Sequence, residues 1–366
     1  MSFSNSLERA LERGWYSPFS WTLLLLPLSW VFRAIAFLRR YYRLQLKPTK
    51  PFSAPVIVVG NISVGGTGKT PLLLTLIHWL QEQGYRPGVI SRGYGGTAPY
   101  PLLVKPDSIA TEVGDEPLLL AKGCPVVVDP NRYRGANYLL EQTDCNLILS
   151  DDGLQHYRLP RDIEIVVVDG QRGFGNRQCL PAGPLREPVS RLNHADFILV
   201  NGAGPDEFFR GNRGLASFSL STSGLNTFGL EVKAISLRHL SAGESLEITG
   251  DVKTQSDLGL NKLKKWRGGY KVHAVAGIGN PQRFVTSLKQ LGFEVLLHAW
   301  PDHHSFTGNE LDFDDDLPVI ITAKDAVKCT DVSNDNVWVL DVMAKPEAEF
   351  LDKLVNQVVS LKVKVA

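Results

Sequence analysis

No sign of charge dominates this chain: over 366 residues, 39 Lys and Arg stand against 38 Asp and Glu, a formal net charge of +1. A global field that would draw in nucleic acid or a charged membrane is therefore excluded, and any basic patch has to be local. Cysteine is scarce as well. The four present, Cys124, Cys145, Cys179 and Cys329, include no CxxC pair, which argues against a disulfide framework, a zinc site and a thioredoxin-like motif and fits a reducing cytoplasm. There is no internal repeat at a fixed period, and long apolar runs are missing with one exception.

The exception lies near the N-terminus. Trp21 to Leu38 (WTLLLLPLSWVFRAIAFL) is nearly all apolar and is followed by Arg39, Arg40 and Arg43. A spanning helix needs about 20 apolar residues, and Pro27, Ser29 and Arg33 interrupt a run already at the short end. The basic cluster on its C-terminal side, with no small-residue cleavage site, disfavours a removable signal and keeps the downstream chain in the cytoplasm. Two readings remain: a helix buried on the protein's own core, or a monotopic helix in the membrane interface with Trp21, Trp30, Tyr41 and Tyr42 as anchors. The monotopic one is favoured.

After the polar joint KPTKPFSAP, short β-branched runs alternate with longer amphipathic segments, the pattern of a parallel sheet with crossover helices. Strands are expected at Val56–Val59, Pro87–Ser91, Val126–Val128, Leu147–Leu149, Ile163–Val168 and Phe197–Val200, with a helix from Lys69 to about Gln83. Continuous apolar runs of this kind are buried on both faces. From Gly202 to Gly269 the texture turns to Gly, Ser and Asn, and the alternation resumes at Lys271–Ala276, Glu294–His298, Pro318–Thr322 and Val337–Leu340, with a helix at Pro281–Leu291. The expected organisation is an apolar helix and joint (1–50), a P-loop domain of α/β class (51–222), an extended linker (223–270) and a smaller second α/β domain (271–366).

VIVVGNISVGGTGKTP (Val56–Pro71) is a buried strand, a glycine-rich turn and a helix start, the setting a phosphate loop requires. Gly65, Gly66, Thr67 and Gly68 can bring backbone N–H groups to an anion at the positive end of the new helix. Lys69 is suited to β- and γ-phosphate oxygens and the Thr70 hydroxyl to Mg²⁺, so ATP with a divalent cation is the expected ligand. Ser63 stands where the usual pattern has glycine, and Val64 where the deviant form of the loop has lysine. The loop fits neither standard class.

Ser150-Asp151-Asp152-Gly153 ends the run Leu147–Leu149, where a Walker-B-type acid holds metal; two adjacent acids on a turn can equally cap a helix. Gln155 and His156 follow and could reach phosphate. Asp115 in Gly114-Asp115-Glu116-Pro117 reads as an N-cap with proline in the first turn. The pair His303-His304 after Asp302 could bind metal, catalyse or do nothing. Arg92, Arg132, Arg134 and Arg186 lie in loops of the carboxyl edge and suggest a phosphorylated substrate. Lys324 and Asp325 in TAKDAVK do not match a guanine-reading motif, because Lys does not directly follow Thr.

Taken in order, the apolar helix, GNISVGGTGKTP, SRGYGG, VGDEP, NRYRGA, SDDGLQH, LPAGPLREP, PDHHSF and AKDAVK resemble the tetraacyldisaccharide 4'-kinase family of lipid A biosynthesis over nearly the whole chain. The resemblance implies ATP-dependent phosphorylation of the 4'-hydroxyl of a 1-phosphorylated, acylated glucosamine disaccharide at the cytoplasmic face of the inner membrane. It also implies that Asp115 and His303 form a catalytic pair, with the second domain supplying His303 across the cleft. No nucleic-acid partner is expected. The rival reading is a switch-type P-loop ATPase acting on a protein partner at the membrane.

Overall fold

The computed structural model describes residues 10–17, 20–46, 49–211, 225–248, 260, 263–264, 266, 269–329 and 332–365. Its strands are β1 (Val56–Gly60), β2 (Pro87–Ser91), β3 (Leu102–Leu103), β4 (Val126–Val128), β5 (Leu147–Asp151), β6 (Ile163–Asp169), β7 (Phe197–Asn201), β8 (Thr227–His239), β9 (Ser245–Glu247), β10 (Lys271–Ala276), β11 (Glu294–Ala299), β12 (Val319–Thr322) and β13 (Val337–Pro346). All belong to one sheet in the order 11-10-12-13-8-7-6-1-5-2-4-3, with β9 on β8.

Strands β2, β4, β5, β1, β6, β7 and β8 pair in parallel, as do β11, β10, β12 and β13, and the two sets meet in an antiparallel seam between β8 and β13. The seam orients the whole molecule. β8 pairs with β7 only over Thr227–Leu230 and continues beyond it; β13 pairs with β12 only over Val337–Leu340 and continues to Pro346, opposite Leu230. Each strand thus overruns the carboxyl edge of its own half, so the two carboxyl edges face each other across a ribbon. Ligands in parallel α/β sheets bind at that edge; here the cleft has one on each wall.

The α/β class and the six expected strands of the first half are observed, each fully buried. One expectation is corrected. Residues 227–239 and 245–247, expected within a linker over 223–270, form β8 and β9, and β8 joins the halves into one sheet; residues 223–224, 249–259, 261–262, 265 and 267–268 of that segment lie outside the described residues. The alternating, half-exposed burial of β8 explains why it lacked a continuous apolar run. The last helix also departs from its expected place in the second unit: Phe350, Leu354 and Val358 of Ala348–Val365 pack into the core of the first half.

Helix α1 (Leu26–Tyr41) follows a short 3₁₀ turn at Trp21–Leu25. One side faces protein: the hydroxyls of Thr22 and Ser29 are buried and donate to Ala182 O (2.7 Å) and Cys179 O (2.6 Å). Leu24, Trp30, Ile35 and Phe37 on the rest of its surface are exposed. By length and composition the helical stretch Trp21–Gln45 could cross a membrane, and only 11% of its apolar 18-residue window is buried.

Helix α2 (Lys69–Glu82) begins at the end of the loop after β1 and buries Leu72, Leu73, Leu76, Ile77 and Leu80, the i, i+4, i+8 spacing of one face. That face locks the phosphate loop's helix to the sheet, and Thr75 donates to Ala344 O (2.7 Å) on β13. Leu76→Ala is expected to cost about 2–5 kcal/mol of unfolding free energy in a denaturant titration. A cost under about 1 kcal/mol would contradict this packing.

Candidate active site

Between the facing edges lies a cleft of about 2110 Å³, lined by both halves. Its floor is the turn from β1 to α2. Gly65 (φ 99°) and Gly68 (φ 100°) take left-handed conformations, and a Cβ at Gly68 would run into the Asn201 amide. That amide donates to Thr67 O (2.8 Å), while the Asn61 amide donates to Gly65 O (3.2 Å). The two residues that depart from the standard patterns serve another contact. Ser63 forms an antiparallel bridge to Leu185, Val64 N donates to Pro184 O (2.9 Å) and Arg186 N to Ile62 O (2.7 Å). The loop is therefore stitched to the segment 178–187, which also receives Thr22 and Ser29 from the N-terminal helical stretch.

Asp151 ends β5 and Asp152 follows with φ 47°. Lys69 Nζ lies 3.4 Å from Asp152 and Arg186 2.8 Å from its other oxygen. Burial alone would raise the Asp152 carboxyl; those two cations hold it well below the usual range. Asp151 has the opposite balance. Burial, reinforced by Glu116 and Asp152, pushes its carboxyl up to about 7 against the pull of Lys69 and Arg132. Ser91 donates to one oxygen (3.0 Å), while the other, like the Thr67 hydroxyl, is buried with no hydrogen-bond partner. The Thr70 hydroxyl meets Glu116 Oε1 at 3.4 Å. Orphaned oxygens beside crowded acids are what a divalent cation would satisfy, so the residues present fit Mg²⁺. Among the described residues no three His, Cys, Asp or Glu side chains converge on one point.

On the same half as the phosphate loop, Asp115 opens helix α3 (Asp115–Leu120) and receives Glu116 N (2.9 Å); its partner comes from the opposite wall. His303 follows β11 in a left-handed conformation (φ 61°), and its Nδ1 lies 3.1 and 3.0 Å from the two oxygens of Asp115. Burial opposes charge on both groups, but their hydrogen bond wins: Asp115, also facing Lys324 and Lys328, is held below the usual carboxylate range, and His303 is raised above the usual imidazole value. An ionised Asp115 makes Nδ1 the donor. The Tyr94 ring packs on the imidazole at 4.8 Å. His304 turns elsewhere, stacking on Trp300 with Nε2 3.0 Å from Glu310.

The arginines divide. Arg186 is in the cleft on Asp152, and Arg92 is exposed at the cleft wall. Arg132 is buried and donates to Asp129 O and Asp151 O (3.0 Å each), bracing the end of β5. Arg134 does not join them. It pairs with Asp129 (2.6 Å) outside the cleft lining, which corrects its expected placement. Gln155 donates to Glu187 Oε1 (2.8 Å) and Asn61 O (3.2 Å). Burial, with Arg132 and Arg92 near by, pushes His156 down to about 4, so it offers phosphate no positive charge at neutral pH.

Three site residues are given no role by the sequence reading: Glu116, Arg283, and Lys324, which is weighed only against a guanine-reading motif. Arg283 reaches from the second half to Asp169 (2.9 Å), Asn201 O (3.1 Å) and, at 3.5 Å, Thr67 O of the phosphate loop. Lys324 lies 3.1 Å from Glu116 and 3.2 Å from Asp302. The available signal was local: Thr322 caps Asp325 N in the T-x-x-D pattern of a helix start, which puts Lys324 at a carboxyl-edge turn.

A family model described as tetraacyldisaccharide-1-P 4'-kinase matches residues 21–360. A tetraacyldisaccharide 4'-kinase of Methylobacillus flagellatus is 44% identical over 97% of this chain and 98% of its own length. One of Nitrosococcus oceani is 44% identical over 92% and 91%. The crystal structure of LpxK from Aquifex aeolicus in complex with ATP superposes with a TM-score of 0.70 at 28% identity, covering 92% of this chain and 99% of that one.

Gly68→Ala combines a strained φ with a clash at Asn201. It is expected to weaken ATP binding by at least about tenfold in equilibrium titration, a loss of about 1.4 kcal/mol, and unchanged affinity would show that the turn is not the phosphate cradle.

Proposed function

We infer that this chain, which belongs to the tetraacyldisaccharide-1-P 4'-kinase family, transfers the γ-phosphoryl group of ATP to the 4'-hydroxyl of a tetraacyl glucosamine disaccharide 1-phosphate, giving lipid IVA in lipid A biosynthesis. It is an ATP-dependent lipid kinase. The observation that carries the mechanism is the hydrogen bond between Asp115 and His303, made across a cleft whose floor is the phosphate loop.

The loop amides, Lys69 and Thr70 hold the triphosphate. Thr70, Asp151 and Asp152 would hold Mg²⁺, which when bound neutralises phosphate charge. Asp115 has little access to an acceptor, with 4% of its side chain exposed and its oxygens shared between His303 Nδ1 and Glu116 N. His303 is 28% exposed, and its Nε2 lies 3.8 Å from Asp302, beyond hydrogen-bond distance. Nε2 is therefore the atom that takes the hydroxyl proton, while Asp115 fixes the tautomer and steadies the imidazolium. The sugar oxygen bonds to the γ-phosphorus, the bond to the bridging oxygen breaks, and ADP leaves with that electron pair. Arg92 and Arg186 are suited to the lipid's phosphate.

A monotopic seat at the cytoplasmic face of the inner membrane is supported by the N-terminal helical stretch. Thr22 and Ser29 pin it to the protein, while Trp30, Ile35 and Phe37 are exposed for lipid, and Arg39 and Arg40 flank the run.

The test is labelled ATP with a 1-phosphorylated tetraacyl disaccharide in detergent. Label is expected in the extracted lipid, and His303→Ala should lower turnover by about 10²–10⁴-fold. An unlabelled lipid phase from folded wild-type protein would contradict the kinase reading; full turnover by His303→Ala would contradict the role of His303.

A further inference from the structure

Lys324 sits in the four-residue helix Ala323–Ala326, at the carboxyl end of β12. The helix is anchored from below. Asp325 is fully buried, accepts from Gly277 N (3.2 Å) and the Thr322 hydroxyl (2.7 Å), and pairs with Lys328 (2.6 Å). With its neighbour so fixed, Lys324 projects into the cleft with 16% of its side chain exposed. Its ammonium meets Glu116 (3.1 Å) and Asp115 (3.9 Å) of the first half and Asp302 (3.2 Å) of the second.

Two features single out this cation. Glu116 Oε1, its first partner, also meets the Thr70 hydroxyl, so the ammonium stands between the phosphate end of the cleft and the Asp115–His303 pair. On the kinase reading, a phosphoryl group leaving ADP for the acceptor would pass there. Lys69 and Arg186 are engaged on Asp152 and Arg283 on Asp169; Lys328 is held on Asp325 (2.6 Å) with Asp115 at 3.9 Å, and Arg92 stays exposed at the cleft wall. Yet the wall around the path is acidic, with Asp115, Glu116, Asp151, Asp152 and Asp302 all lining it. Phosphoryl transfer spreads charge over three equatorial oxygens and is fastest with a fixed cation opposite the phosphate loop. An ammonium already held by carboxylates is poorly placed to tighten ground-state ATP, and well placed to act as the phosphoryl group leaves ADP.

We propose that Lys324 is a catalytic residue of this reaction: its ammonium contacts the oxygens of the phosphoryl group in transfer, from the wall opposite Lys69. The proposal rests on the kinase reading above. It involves no bond to the lysine and no proton transfer from it.

The experiment uses the full chain in detergent, wild type beside Lys324→Gln. Glutamine keeps a donor for Glu116 and Asp302 and removes the charge. Three quantities are read: turnover into lipid, the dissociation constant of ATP, and that of ADP with aluminium fluoride in the presence of lipid acceptor. Lys324→Gln is expected to lose about 10²–10³-fold in turnover and a similar factor in affinity for the fluoride complex, as for loss of one transition-state donor. ATP affinity should stay within about threefold, because ground-state binding does not use the lysine. Turnover within about threefold of wild type, or ATP and fluoride-complex affinities falling together, would overturn the proposal. Should thermal melting find the glutamine variant unfolded, Lys324→Met is measured by the same criteria, alongside Lys324→Ala with added propylammonium. Partial rescue by the amine supports the charge role and absence of rescue rejects it. Wild-type protein that leaves the lipid unlabelled rejects the kinase reading itself; labelled wild type with unimpaired variants rejects the lysine alone.

Discussion

Everything in this site depends on the antiparallel seam between β8 and β13. A parallel sheet has one carboxyl edge, and here the groups that line the cleft come from two. Reversing direction at the seam turns the second half's carboxyl edge to face the first, and the overrun of each strand sets the width of the gap. The phosphate loop, Asp115 and the Asp151–Asp152 turn then come from one edge, and His303 and Lys324 from the other. The last helix ties the exit of β13 back into the first core, through Phe350 and Leu354, so the ribbon is held at its lower end.

Electrostatically the cleft is acidic at its centre, and that is physically costly without a ligand. Asp151 shows the cost most directly, with its carboxyl pushed up to about 7 by burial and acidic neighbours. Asp152, a single residue along, is held low by Lys69 and Arg186. Two adjacent carboxylates thus have opposite environments. One is already paired, and the other is short of a positive charge that a divalent cation would supply. The same economy of charge sets Lys324 among acids of both walls, Asp115 and Glu116 from the first half and Asp302 from the second.

Much of this was legible in the sequence, for physical reasons. Strands buried on both faces are written as unbroken β-branched runs, so β1, β5 and β6 could be read with little error, and the glycine-rich turn could be read because only certain residue types tolerate its geometry. β8 was not legible, since one strand serving both as sheet member and as exposed ribbon alternates in burial and sits among Gly, Ser and Asn. Arg132 and Arg134, two residues apart, looked equivalent; burial makes one a brace for β5 and leaves the other on Asp129. The pairing of Asp115 with His303 was invisible to local patterns, because the residues are 188 apart and Asp115 also does what a helix-opening acid does, receiving Glu116 N. Only the family resemblance joined them.

The central claim is that Asp115 and His303 act as one unit assembled across the cleft. A double-mutant cycle on turnover tests it most directly, using Asp115→Ala, His303→Ala and the double variant in the same lipid assay. The account predicts that each single change costs about 10²–10⁴-fold and that the double costs no more than the worse single, since either loss already disables the pair. Multiplicative losses, with the double variant slower by the product of the two, would mean that the residues work independently and would contradict it.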